Sequence, residues 1–164
     1  MKRLLFLLTL IMGLGCLGLH AQNDTTDPES KAKIIKTVVQ NKKYIIYCDK
    51  MYPQRGRSRY VGREYTVEMK GDKFRSYLPY MGVAHSASYS GMNIFDFEEE
   101  YTNYKYKEDK KGNIIVSFRV QNGSESMEYT ITFYPNGKVN IHIQPMKRDS
   151  ISFSGELGLN RKLK

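Results

Sequence analysis

Beyond residue 43 the chain alternates apolar and polar side chains at a period of two, the pattern of strands with one buried face. Tyr65, Val67 and Met69 fall on one side, with Glu64, Thr66, Glu68 and Lys70 on the other. Gly71-Asp72 then reads as a two-residue hairpin turn with glycine first, suited to type II′. The return strand sets Phe74 and Leu78 against Lys73, Arg75 and Tyr77. Further strands are expected at Asn93–Phe97 and Tyr101–Lys107, with Glu98-Glu99-Glu100 as the solvated hairpin end between them. Ile114 to Val120, Met127 to Phe133, Val139 to Ile143 and Ile151 to Leu157 alternate cleanly, separated by Asn122-Gly123, Pro135-Asn136-Gly137 and a longer polar connection.

Ahead of the strands, Asp27-Pro28-Glu29 predicts a helix start: an N-cap acceptor, a proline in the first turn and an acid near the positive end of the helix dipole. The helix is expected to run to about Asn41. Ile34, Ile35, Val38 and Val39 form a narrow stripe, and Lys31, Lys33 and Lys36 stay in solvent. Eight or nine strands joined mostly by tight turns imply antiparallel, sequential pairing. A four-residue stripe is too small to cover that many strands. The predicted fold is therefore mainly β: an up-and-down antiparallel meander closed or nearly closed into a barrel, with the helix at one end or side.

Residues 1–21 stand apart from this domain. Lys2-Arg3 precedes an uncharged apolar run from Leu4 to Leu19, and Ala21 offers a small residue before a cut, which together predict an export signal. Residues 22–27 then form a polar tether, and 28–164 a single helix-plus-barrel domain of the periplasm or cell envelope. Cys16 raises lipidation as an alternative, which would bring membrane contact, but Gly13 occupies the position where a lipoprotein signal places leucine. Removal of the signal leaves Cys48 as the single cysteine, within Tyr44-Ile45-Ile46-Tyr47-Cys48, and predicts a buried apolar role for it. It also leaves 24 basic against 17 acidic residues, a net charge of +7. That excess favours anionic surfaces such as lipid headgroups or acidic glycans, while export argues against nucleic acid.

The lysine-rich helix with Ala32-Lys33-Ile34-Ile35, then Tyr52-Pro53, then Ser76-Tyr77-Leu78-Pro79-Tyr80-Met81-Gly82, and a closing Ile151-Ser152-Phe153-Ser154-Gly155 resemble the domain-of-unknown-function family numbered 4251, found in exported proteins of Bacteroides-type bacteria. The resemblance spans residues 30 to 157. It implies a lipocalin-like barrel topology and an envelope location, and it implies no activity. True lipocalins carry a Gly-x-Trp motif, and this chain has no tryptophan. Ligand binding of the lipocalin kind is thus an analogy of shape.

The sequence offers little for catalysis. His85 lies among Ser86, Ser88 and Ser90, but a nucleophile needs a base in reach and a third group to orient it. His142 falls on the outward face of a strand. No Cys/His spacing suits a metal and no cofactor motif is present. Two features suit binding. Arg55, Arg57 and Arg59, with Arg63, could grip phosphate or carboxylate. Tyr77, Tyr80 and Tyr89 with His85 line the long stretch from Pro79 to Gly91, and with Tyr101, Tyr104 and Tyr106 they suggest a tyrosine-rich rim for sugar or protein. Asp149-Ser150-Ile151 and Asp24-Thr25-Thr26 fit an acceptor pattern for O-linked glycans. The expected protein is a monomeric, non-enzymatic binding module taking a small apolar or glycan ligand at a barrel mouth. The alternative is a structural or inhibitor-like protein that binds an envelope partner through its tyrosine-rich loops.

Overall fold

The computed structural model describes residues 27–83 and 94–159. Helix α1 (Pro28–Gln40) begins as its first residues dictate: the Asp27 carboxylate accepts the Ser30 backbone N–H at 3.2 Å, and Pro28 sits in the first turn. Ile35 and Val39 are buried, whereas Lys33 pairs with Glu29 on the open face.

Nine strands follow: β1 (Lys43–Pro53), β2 (Arg59–Tyr60), β3 (Thr66–Lys70), β4 (Lys73–Pro79), β5 (Ile94–Glu108), β6 (Ile114–Asn122), β7 (Glu125–Phe133), β8 (Lys138–Pro145) and β9 (Ile151–Leu157). From β3 to β9 each strand pairs antiparallel with the next. β1 bonds β3 on one side and β9 on the other, which closes an eight-stranded barrel. The short β2 is an extra strand that pairs with Lys50 and Met51, past the stretch of β1 held by β3. Gly71 has φ of +65°, the left-handed value a type II′ turn requires at its first position. The Lys36 ammonium reaches Glu108 at 2.6 Å, and the Lys31 side chain lies against Gly137 in the β7–β8 turn. Helix α1 therefore lies across one end of the barrel.

One expectation needs correction. The two strands expected at 93–97 and 101–107 are a single 15-residue strand, β5, so Glu98-Glu99-Glu100 is no hairpin end. These acids face Arg75, Phe74 and Lys73 of β4, with Lys73 and Glu98 3.9 Å apart. Opposite charges across the ladder let an acidic run stay extended. The break in alternation is a bulge between Thr102 and Lys105, where Asn103 takes a left-handed φ of 55°.

The apolar face of every barrel strand points inward. Phe74 of β4, Phe118 of β6 and Tyr129 of β7 meet with ring centres 4.7 to 5.5 Å apart, and the Tyr129 hydroxyl donates to Ser76 Oγ at 3.3 Å. Tyr44 meets Phe133 edge-on at 5.1 Å. These rings pack against one another across the midsection of the barrel. Charged side chains such as Arg75, Glu98, Arg119 and Glu128 lie exposed on the strands, the reverse of a lipid-facing barrel. Among the described residues no helix is long and apolar enough to cross a membrane.

The seam between β1 and β9 has its tightest point at Gly155, opposite Cys48, where β1 carries a bulge at Asp49. A Cβ on Gly155 would press into the Tyr47 carbonyl oxygen and stand 3.0 Å from the Cys48 Cα. Both neighbours are backbone and cannot step aside without breaking the ladder. Gly155→Ala is expected to lose about 1–3 kcal/mol of stability in urea unfolding, and Ser117→Ala on β6 under about 0.5 kcal/mol.

Candidate functional site

Four segments gather at the barrel end opposite α1: residues 54–58 after β1, 80–83 after β4, the β6–β7 turn, and 146–150 between β8 and β9. Glu125 opens β7 in phase with Met127, Tyr129 and Ile131, so its carboxylate enters the barrel. Arg148 meets it there. Its Nε donates to Glu125 Oε1 and Oε2 at 3.1 and 3.0 Å, and its Nη2 also donates to Oε2. Both residues are 3% exposed. The guanidinium lies 4.7 Å from the ring centres of both Tyr80 and Phe95, which meet edge-on at 5.1 Å. A fork-shaped cation bonded to a carboxylate and stacked on two rings is well compensated for its burial. These four side chains plug the end.

Asp149 stands behind the plug. Its buried carboxylate accepts the Val83 N–H at 3.4 Å, with Arg55 Nε 3.7 Å away. Its backbone N–H donates to the Val83 carbonyl, and the Tyr80 hydroxyl donates to the Asp149 carbonyl at 3.1 Å. Ser150 donates to Gln54 Oε1 through both its N–H and its hydroxyl. Asp149-Ser150-Ile151 is therefore part of the scaffold, with its acid buried, and does not stand out as an acceptor for a glycan.

Above the plug the exposed rim is cationic and apolar. Arg55 and Arg57 are exposed, and Lys147 donates to Ser124 Oγ at 2.9 Å. Met81, Val83 and Met146 are exposed large hydrophobic residues at this same end. Of the residues singled out in the sequence, Tyr80 and Arg55 are brought together through Asp149, and Arg57 shares the Arg55 loop. Arg59 sits farther along, in β2. Tyr77 lies on the outer wall, stacked on Tyr65 at 5.4 Å, away from Tyr80. His85 and Tyr89 lie outside the described residues, as do the signal, the tether and Cys16. Tyr101, Tyr104 and Tyr106, expected beside the long loop, are at the helix end. β5 carries the chain the length of the barrel, and Tyr101 and Tyr104 pack on Phe118 under Lys42, whose ammonium is 4.4 Å from the Tyr104 ring centre.

Neither Glu125 nor Arg148 is singled out as a site residue in the sequence, which offers Asp149 only as part of a glycan-acceptor pattern. A signal for Glu125 was present: counting back in twos from Met127 puts an acid on the inward face, which demands a buried cation. Nothing comparable marked Arg148, since a loop basic residue reads as solvated.

Catalytic chemistry is poorly provided for. The Cys48 thiol is fully buried, and burial, assisted by Asp49, pushes its pKa up to about 12, so it is a poor thiolate. His142 Nδ1 and Ser152 Oγ are 2.9 Å apart on the exposed outer face. No carboxylate among the described residues bonds the far ring nitrogen to orient it. No group of three His, Cys, Asp or Glu among the described residues could hold a metal.

The family described as Domain of unknown function (DUF4251) matches the chain over residues 27–157. A crystal structure of a DUF4251 family protein from Bacteroides eggerthii superposes with a TM-score of 0.58 at 18% identity, covering 77% of this chain and 86% of that one. That likeness extends to the fold. No curated protein matches the chain.

Two outcomes follow from the buried groups. Arg148→Met leaves a lone carboxylate in the plug and is expected to cost about 3–5 kcal/mol, whereas the double change Glu125→Leu/Arg148→Met recovers most of that loss, both read by urea unfolding. Burial also raises the Tyr80 and Tyr104 pKa values to about 12, alongside Cys48. The unfolded chain releases these protons from about pH 9 or 10 upward while the native chain keeps them. Stability is thus full below about pH 9 and falls as pH rises toward 12. A midpoint denaturant concentration that does not decrease between about pH 8 and 11 would contradict this.

Proposed function

The chain belongs to the DUF4251 family, which supplies no activity to inherit, and we propose that it is a non-enzymatic binding module of the cell envelope that engages an anionic ligand with the rim of its plugged end. The export-type first 21 residues support the envelope location. One observation carries the binding reading. Among the described residues at this end, Glu125 and Asp149 are buried, while Arg55 and Arg57 are exposed and Lys147 is half-buried, around Met81, Val83 and Met146. Cations set among apolar side chains suit a phosphate or carboxylate carried on a lipid or sugar body. The rings packed across the midsection support a ligand held outside the barrel, where Asp149 lies 3.7 Å from Arg55. The exposed methionines and valine also support a second reading, an acidic protein partner gripped at the same rim.

The test is binding of the mature chain to phosphatidylglycerol vesicles, phosphatidylcholine vesicles and soluble polygalacturonate. Retention by one anionic probe is expected, weakening with salt as exposed charges are screened. Arg57→Glu or Lys147→Glu should each reduce it about tenfold. Binding to vesicles alone identifies lipid as the source of the anion, and binding to polygalacturonate alone identifies glycan. Failure of both probes, or equal retention of the charge-reversed variants, would sink the anionic reading.

A further inference from the structure

A second surface, separate from the rim, has its own chemistry. On the outer wall formed by β7, β8, β9 and β1 lie two adjoining clefts of about 510 and 450 Å3, which share Tyr52 and Asn140. The floor exists because β9 carries only serines there: Ser152 and Ser154 lie between Asp49 and Tyr52 of β1 and Asn140 and His142 of β8. Thr130 and Thr132 continue it onto β7. Tyr52 is 41% exposed at one wall, and Tyr134 stands at another.

We infer that this groove is a binding site for a neutral glycan chain. Its floor is hydroxyl, amide and imidazole, and the groups are already held in place. Asn140 Nδ2 donates to the Tyr134 hydroxyl at 3.0 Å, Ser154 donates to Asp49 Oδ1 at 2.9 Å, and His142 bonds Ser152. Such groups each donate and accept, which matches the paired donor and acceptor character of sugar hydroxyls. The tyrosine walls offer flat apolar faces to the C–H side of a sugar ring. The charge pattern selects against other occupants. Charges of both signs border the groove: Asp49 and Glu156 stand with Lys138 and Lys50, and Arg63 lies 3.8 Å from Glu156, a mixed border that favours neither a strongly acidic nor a strongly basic chain. A protein interface centres on a buried apolar core, whereas the exposed rings here, Tyr52 and Tyr60, flank the Lys50 ammonium, which is 5.2 Å from each ring centre. From Ser152 to Glu156 the floor extends about 13 Å at ~3.3 Å per residue, enough for more than one sugar unit. Gly155, packed against the β1 backbone in the seam, lies within that run.

The experiment titrates the mature protein with cellohexaose, laminarihexaose, maltohexaose and mannohexaose by calorimetry. At least one is expected to bind saturably with Kd at or below about 1 mM. Tyr52→Ala should weaken that binding roughly fivefold to tenfold through lost stacking. Ser154→Trp, which fills the floor, should abolish it, with thermal unfolding run in parallel to confirm the fold. Met146→Asp at the rim should leave it unchanged, which separates this site from the anionic one. Absence of binding by all four oligosaccharides overturns the proposal, as does binding that both Tyr52→Ala and Ser154→Trp leave intact.

Discussion

Closure between the first and last strands is the constraint on which the rest of the molecule depends. β1 bonds β3 with its first half and β9 along most of its length, so it must change direction partway. The bulge at Asp49 supplies that turn, and Gly155 supplies the room for it. Once the seam is made, the inward faces of eight strands meet around Phe74, Phe118 and Tyr129, and burial of those rings holds the barrel shut. The helix and the ionic plug then finish the two ends by different means: apolar contact at one, a compensated charge pair at the other.

Both proposed binding surfaces lie on the outside of the barrel. The interior is occupied by side chains across its midsection, and the inward charges at the plugged end are already matched to each other. The two proposed surfaces are the rim and the outer wall. These differ in chemistry because of where acids are placed. At the rim the described acids Glu125 and Asp149 are buried while Arg55 and Arg57 are exposed. On the β7–β8–β9–β1 wall charges of both signs border a floor of uncharged hydrogen-bonding groups.

Much of this architecture was legible in the chain. Alternation at period two located the strands and their inward faces, and glycine at 71, 123 and 137 marked the hairpins, each with a positive φ. The Asp27-Pro28 start of the helix was equally plain. β5 was misread because its bulge at Asn103 shifts the alternation, and because three consecutive glutamates look like a turn until the basic strand beside them is known. The rim was legible only in part. Arg55 and Tyr80 were singled out, but the residue that joins them, Asp149, comes from a loop 69 positions beyond Tyr80 in the hydrogen bond that links them. Local pattern holds no record of such a long-range contact. The outer groove left no sequence signal either, since serines, threonines and asparagine on an exposed face are what any solvated strand would carry.

The position of Cys48 has a consequence for the order of events in folding. Its thiol is sealed in the core directly across the ladder from Gly155, the place where the barrel has no spare room. A mixed disulfide or an oxidised acid formed on that sulfur before the barrel closes would add bulk and polarity to a packed core, and a chain so modified is expected to close into a less stable barrel.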